Sequence, residues 1–141
     1  MVKRTKPLTC ILIDPFACEV RSIDLPPGDD LAPYYAALSH ESMPVNIFEA
    51  ARARMLRGLD VIFVDEEGGF KNADRYFVHV GFHAPLAGKG LIVGADASGA
   101  AKSADTPLDA VKRCVMFLKR DGGSLHQTNL PWVKPEKETH Q

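Results

Sequence analysis

The fold is decided near the amino terminus by the runs LTCILID (residues 8–14) and CEVRSIDL (residues 18–25). Both are rich in β-branched and apolar residues, which favour strands. The Asp14-Pro15 step between them suits a turn, because the fixed φ of proline fits the second turn position. The pattern predicts an antiparallel hairpin. In that hairpin Cys18 lies opposite residue 13 or 14, so a Cys10–Cys18 disulfide is not expected.

The next segment predicts a short helix near residues 30–39. Pro26-Pro27-Gly28 ends the second strand, and Asp30 can cap a helix that carries apolar residues at one-face spacing. Pro33 falls in the first turn of this helix, where its missing N–H does little harm.

Residues 45–57 allow two interpretations. Asn46 and Glu49 resemble a capping box, and AARARML is a strong helix-forming run that ends at Gly58. The alternation of apolar and polar residues from Val45 instead favours a strand that leads into a turn.

Further strands are predicted in the middle of the chain. LDVIFVD (59–65) and DRYFVHVGF (74–82) flank the polar segment EEGGFKNA, which predicts a second hairpin with a longer loop. GLIVGA (90–95) predicts another strand, and residues 96–99 another turn.

A helix is predicted over residues 107–120. Thr106-Pro107-Leu108-Asp109 supplies a cap residue, a proline at the first helical position and an acid in the first turn. The apolar face repeats at helical spacing, and Gly122-Gly123 can end the helix in the left-handed conformation. Residues 124–141 lack periodicity and are predicted to form a polar tail, in which Trp132 docks on the body or, as the alternative, on a partner.

Composition indicates one domain. The chain has 141 residues and is 45% hydrophobic and 25% charged, which is enough for one core and too little for two. We expect a basic arm (1–7), a globular core (8–123) and a tail (124–141). The predicted fold class is α+β, a mostly antiparallel twisted sheet of five to six strands beneath the C-terminal helix. Its expected core includes Val61, Phe63, Val78, Val80, Ile92, Val111 and Val115.

Charge and hydropathy exclude several function classes. The formal net charge of −1 creates no field that attracts a polyanion, so duplex nucleic-acid binding is not expected. The apolar runs are far shorter than the roughly 18 residues of a membrane span. Asp14 and Pro15 interrupt the only run that could serve as a signal sequence, so a cytoplasmic location is expected.

No motif demands a particular chemistry. The segment AGKGLIVG lacks the Ser/Thr after Lys89 and the spacing of a phosphate loop, so its glycines are attributed to backbone geometry. His79 and His83 share a strand face but lie about 13 Å apart, which is too far for one metal ion. His40 is expected to be a polar loop residue. No catalytic residue, metal ligand or cofactor is assigned.

Four segments carry a resemblance to a known family: ILIDPFACEVRSIDL, DVIFVDEEGGF, PLAGKGLIVGADASG and TPLDAVKRCVMFL. Together they resemble an uncharacterised family of small proteins encoded by phages, plasmids and integrated mobile elements, over most of residues 10–120. The resemblance implies an α+β domain without an agreed activity, and it confers no catalytic residues. It also favours a strand over the segment from Val45 to Ala51.

Three hypotheses of function follow. The leading one is a non-enzymatic binding or accessory module of a mobile element that engages a host protein or a small ligand. Its expected surface is formed by the tip of the second hairpin and the glycine-rich loop, namely Asp65, Glu66, Glu67, Gly68, Pro85, Gly88, Lys89 and Gly90. The second is a metal-assisted hydrolase or nucleotide-processing enzyme that uses the carboxylates of residues 65–67. The third is a scaffold that forms a homodimer through a sheet edge.

Overall fold

The computed structural model describes residues 6–28, 30–41, 44, 50–52, 60–65, 73–82 and 84–128, with the backbone alone for residues 50–52. In these residues the strands and helices follow the order β1 (Leu8–Asp14), β2 (Glu19–Leu25), α1 (Ala32–Leu38), β3 (Ala50–Arg52), β4 (Val61–Asp65), β5 (Arg75–His79), β6 (Leu86–Ala87), β7 (Gly90–Ala95), β8 (Ala101–Lys102), α2 (Leu108–Cys114), β9 (Val115–Asp121) and β10 (Ser124–Gln127).

The strands form two antiparallel sheets. The larger has the order β2-β1-β7-β4-β3, with β8 also paired to β7, and the smaller has the order β10-β9-β5-β6. Every pairing among the described strands is antiparallel. The prediction of an α+β domain with mostly antiparallel sheet is therefore confirmed, although the strands divide between two sheets.

The central strands of the larger sheet are buried on both faces. In β1, Leu8, Cys10 and Leu12 pack with α1 on one face, whereas Ile11 and Ile13 enter a second cluster on the other. A strand that is buried on both faces needs a nearly continuous apolar sequence, which LTCILID provides. The larger sheet thus forms the middle layer of the molecule.

The second cluster joins the two sheets. Ile62 of β4 packs here with Phe77 of β5, Phe117 of β9 and Val111 of α2. Each of these four side chains is at least nine-tenths buried, so burial of apolar surface holds the smaller sheet and α2 against the larger sheet.

The N-terminal hairpin and the short helix are as predicted. Asp14 pairs with Glu19, and residues 15–18 form the turn, which places Cys18 next to the position expected for it. Cys10 and Cys18 are free thiols. The N-cap residue of α1 is Leu31 and not Asp30 as predicted, although the Asp30 carboxylate accepts the backbone N–H of Ala32 at 3.0 Å just before the helix.

The second predicted hairpin is wrong. β4 pairs with β3 and β7 in the larger sheet, whereas β5 pairs with β6 and β9 in the smaller one. Alternation of apolar and polar residues identifies a strand but carries no information about its partner, and sequence proximity suggested the wrong one.

The predicted helix over residues 107–120 is half right, because α2 ends at Cys114 and β9 begins at Val115. Phe117 of β9 lies opposite Phe77 of β5, and both side chains are buried in the cluster that joins the two sheets, so tertiary packing overrides the local helix propensity. Gly122 and Gly123, with φ of +61° and +96°, form the β9–β10 turn. The left-handed conformation that suits a helix end suits a hairpin turn equally well.

Two further predictions concern the tail at residues 124–141 and the ambiguous segment at residues 45–57. Ser124–Gln127 forms β10, so the predicted tail begins later than residue 124, and the predicted docking of Trp132 falls outside the described residues. Ala50–Arg52 forms β3 and pairs with β4, in agreement with the strand interpretation there. Residues 45–49 and 53–57 lie outside the described part of the chain.

The predicted core is partly corrected. Ile92 and Val111 are buried, but Val80 is 73% exposed in the turn after β5. The other four predicted residues are half-buried, namely Val61, Phe63, Val78 and Val115. In β4 the fully buried face belongs to Ile62 and Val64, because these residues meet the smaller sheet.

Candidate functional site

The structure brings described members of the predicted binding surface close to one another, because Val64, the residue before Asp65, pairs with Gly90 of β7. Asp65 is a buried residue at the end of β4. Pro85 is exposed, whereas Gly88 and Gly90 are buried. Glu66, Glu67 and Gly68 lie outside the described residues, so the acidic part of this predicted surface stays a prediction.

The two glycines of the glycine-rich loop have structural roles. Gly88 has φ of +79°, and its N–H donates to the carbonyl of Arg75 at 3.0 Å. A Cβ on Gly90 would lie 2.7 Å from the ring of Phe77. Both positions therefore need glycine for conformation or space, as the sequence analysis expected.

Lys89 is used inside the molecule. Its ammonium donates to the Ser39 carbonyl at 3.0 Å and lies 4.0 Å from Oδ2 of Asp14, and its side chain is only 12% exposed. Arg21 lies 3.2 Å from the same Asp14 oxygen, while Oδ1 of Asp14 accepts the N–H groups of Phe16 and Ala17. Lys89 thus supports the β1–β2 turn, and its role toward an outside acidic group stays a prediction.

A groove lies between β2 and α2. It has a volume of about 700 Å³, which falls within the roughly 300–1,000 Å³ range of ligand sites in proteins. We call it the β2–α2 groove and define it by its lining residues: Cys18, Glu19, Val20, Arg21, Ser22, Leu108, Lys112, Val115, Met116, Phe117 and Gln127.

The floor of the groove is apolar. Val20, Leu108 and Val115 are half-buried and pack against the cluster that joins the two sheets, and Phe117 belongs to that cluster. Met116 at the margin is 42% exposed, which is high for a large apolar side chain. A ligand that binds on this floor would therefore remove apolar surface from water, both its own and that of the protein.

The rim of the groove is polar and carries an unpaired cation. Arg21 forms ion pairs with Glu19 at 2.9 Å and Asp14 at 3.2 Å, so its charge is compensated. Lys112 is exposed and makes no hydrogen bond or ion pair within the described part of the chain. One turn of α2 separates Lys112 from Leu108, which places the ammonium directly beside the apolar floor.

Cys18 contributes a neutral thiol to the groove. Burial raises the pKa of this thiol, and Asp14 adds to the effect, while Thr128 and Arg75 oppose it. Its backbone φ is +53°, and its Sγ lies 3.7 Å from the carbonyl of Pro15, within weak hydrogen-bonding distance. At neutral pH the group is a protonated thiol, which lines the groove as a small polarisable surface.

Two other buried ionisable groups lie away from the groove. Asp60 accepts hydrogen bonds from Asp105 and Thr106, and its side chain is fully buried. His79 accepts the N–H of Gly81 on Nδ1 at 2.9 Å, and burial lowers its pKa. Both groups stabilise chain segments. The described residues contain no group of three or more His, Cys, Asp or Glu side chains that could hold a metal ion.

Two expectations for histidine can be compared with the structure. The ring of His40 stacks on that of Phe16, with centroids 3.8 Å apart and planes within 5°. His40 was expected to be a polar loop residue, and its ring in fact packs against the β1–β2 turn through Phe16. His83, the partner considered for His79, lies outside the described residues.

Sequence analysis missed the groove because its walls come from distant parts of the chain. Residues 18–22 meet residues 108–117 and Gln127 only after both sheets have formed. The available signal is the apolar Val115-Met116-Phe117 run, which lies within the helix predicted over residues 107–120.

Comparisons with known proteins add no relative. Neither the family models, nor the curated proteins, nor the solved structures contain a match to this chain. The resemblance to the family of mobile-element proteins therefore stays a prediction. The described residues contain no helix that is long and apolar enough to cross a membrane.

Proposed function

We propose that this protein is a binding module, and that its ligand, an apolar molecule or segment with an anionic group, occupies the β2–α2 groove. The observation that carries the proposal is the combination of an apolar floor with the unpaired ammonium of Lys112 at the rim. The groove replaces the loop surface of Asp65 to Gly90 as the expected contact surface.

Affinity would come mainly from the floor. Burial of apolar surface contributes roughly 25 cal/mol per Å², so a ligand that covers the floor gains several times more than one exposed ion pair supplies. The ion pair with Lys112 would instead orient the ligand, because Arg21, the other cation among the lining residues of the groove, is already compensated by Glu19 and Asp14.

This proposal keeps the leading hypothesis of a module that engages a host protein or a small ligand. Its mobile-element setting rests on the sequence resemblance alone. The hydrolase hypothesis gains no supporting contact among the described residues, where Asp65 is a buried strand residue.

The test is calorimetric titration with 8-anilinonaphthalene-1-sulfonate, a probe that joins apolar rings to an anionic group. We expect saturable one-to-one binding. Ser22→Trp should weaken it at least tenfold, because Ser22 is exposed and an indole there would fill the groove. Lys112→Ala should weaken it about two- to fivefold, the range of an exposed charge pair.

The matched control is Lys119→Ala, which removes an exposed lysine of β9 that does not line the groove. It should leave the affinity unchanged, and circular dichroism should show the same fold for all variants. Binding that Ser22→Trp and Lys112→Ala leave unaltered would assign the probe to another surface and refute the proposal.

A further inference from the structure

The β2–α2 groove runs along the edge of a sheet. Five consecutive residues, 18–22, line it. Because successive side chains of a strand point to opposite faces, consecutive residues can share one groove only where that groove follows the strand edge. β2 is the terminal strand of the larger sheet, and among the described strands it pairs with β1 alone.

An unpaired strand edge presents alternating N–H and C=O groups that water must satisfy. A second extended chain can replace that water with a ladder of backbone hydrogen bonds. The four lining residues that belong to β2, residues 19–22, span about 13 Å at the usual strand rise, which matches a segment of about four residues.

We infer that the occupant of the groove is an extended segment of a partner protein, which adds to the edge of β2 as a further strand of the larger sheet. The inference rests on the proposed binding role of the groove and names the class of ligand. Edge hydrogen bonds give the partner its conformation, and the two faces of the added strand give it specificity.

The charges and the floor determine the side chains of the partner. On the face toward α2, every second side chain would contact Val20, Val115 or Phe117, so these positions should be apolar. An acidic residue on the same face would meet Lys112. Arg21 and Glu19 already form an ion pair on the edge itself, so they offer no net charge to the partner.

The test uses a labelled peptide of seven residues with blocked ends, in which valine occupies the first, third and fifth positions, glutamate the seventh, and threonine the rest. Fluorescence anisotropy measures its affinity for the full chain. Two N-methylated versions, one at the even and one at the odd positions after the first, remove the N–H groups from opposite edges of the peptide strand.

Strand addition predicts that one N-methylated version loses at least tenfold in affinity while the other changes less than about threefold. A peptide with lysine in place of glutamate should bind more weakly to the native protein than the glutamate peptide. That difference should disappear with Lys112→Ala and persist with Lys119→Ala, because only Lys112 lines the groove.

Other outcomes overturn the inference in distinguishable ways. Equal effects of the two N-methylated versions, or no peptide binding by a protein that binds the sulfonate probe, would refute strand addition and leave the proposed function standing. Loss of both ligands refutes both. If light scattering shows a dimer that Ser22→Pro converts to a monomer, the strand that adds to the β2 edge belongs to a second copy of this chain. If the peptide binds only after removal of residues 129–141, the segment that occupies the groove belongs to this chain itself.

Discussion

Oδ2 of Asp60 accepts two hydrogen bonds from Thr106, one from its backbone N–H at 2.8 Å and one from its hydroxyl at 2.7 Å. The same carboxylate accepts the backbone N–H of Asp105 on both oxygens. The fully buried carboxylate of Asp60, the residue before β4, thus holds the segment before α2 in place through hydrogen bonds. Since α2 forms one wall of the groove, Asp60 supports the groove from a distance.

Asp60→Ala should lower the free energy of unfolding by about 3 kcal/mol or more, because it leaves the donors of Asp105 and Thr106 buried without an acceptor. Urea denaturation measures the change. Asp105→Asn is the control, since the exposed Asp105 carboxylate pairs with the exposed Lys102 ammonium and its loss should cost less than about 1 kcal/mol. Equal losses in the two variants would contradict the role assigned to Asp60.

The two-sheet arrangement predicts a large loss of stability on truncation of one apolar side chain and almost none on truncation of another. Ile62→Ala should lower the free energy of unfolding by about 2–5 kcal/mol, because Ile62 is fully buried between the sheets. Val80→Ala should change it by less than about 0.5 kcal/mol, because Val80 is 73% exposed. A large loss at Val80 with a small one at Ile62 would show that the register of β4 or β5 is wrong.

His79 should make stability depend on pH. Burial lowers the pKa of its imidazole in the folded protein, and Nδ1 must stay unprotonated to accept the N–H of Gly81. The unfolded chain, with an ordinary pKa of about 6.5, therefore binds more protons than the folded protein below that pH. The stabilisation is complete above about pH 7 and is lost as the pH falls.

Denaturation between about pH 5 and pH 8 checks this dependence. His79→Asn should flatten the slope, because asparagine keeps an acceptor near Gly81 but does not titrate there. His126→Asn, at an exposed residue of β10, should leave the slope unchanged. A slope that survives His79→Asn would assign the pH dependence to another group.

The thiols should report on the groove. Cys10 is fully buried, and burial raises its pKa to about 11, so iodoacetamide should modify it only when the protein unfolds. Cys18 is half-buried and lines the groove, so it should react slowly, and the sulfonate probe should slow it further. Peptide mapping by mass spectrometry measures both rates. A probe that slows neither thiol, or both equally, would argue against occupation of the groove.

Local predictions succeeded where short-range chemistry decides the structure. The β1–β2 hairpin follows from two β-rich runs around Asp14-Pro15. The Asp14 carboxylate stabilises the turn by accepting the backbone N–H groups of Phe16 and Ala17, two and three residues further along the chain. Gly94 illustrates the opposite case. A Cβ there would lie 2.3 Å from the Ser103 carbonyl, a contact that no window of sequence around Gly94 could indicate.

The groove was beyond sequence analysis for the same reason. Val115 and Leu118 continue the apolar face of α2 at helical spacing, but residues 115–118 are also a continuous apolar run, which a buried strand equally accommodates. In the structure this run belongs to β9, which pairs with β5. Once β9 formed, its first residues and α2 created a cleft against β2, and Lys112 came to its rim.

By itself the amino-acid sequence determined the N-terminal hairpin, the short helix, the strand at residues 90–95 and the antiparallel α+β character, because these depend on dihedral preferences and on hydrophobic periodicity within about ten residues. Tertiary structure alone decided which strands pair beyond the N-terminal hairpin, where α2 gives way to β9, and that an apolar groove opens beside β2. Those outcomes depend on how much apolar surface distant segments bury against each other, and the sequence of one segment does not determine that area.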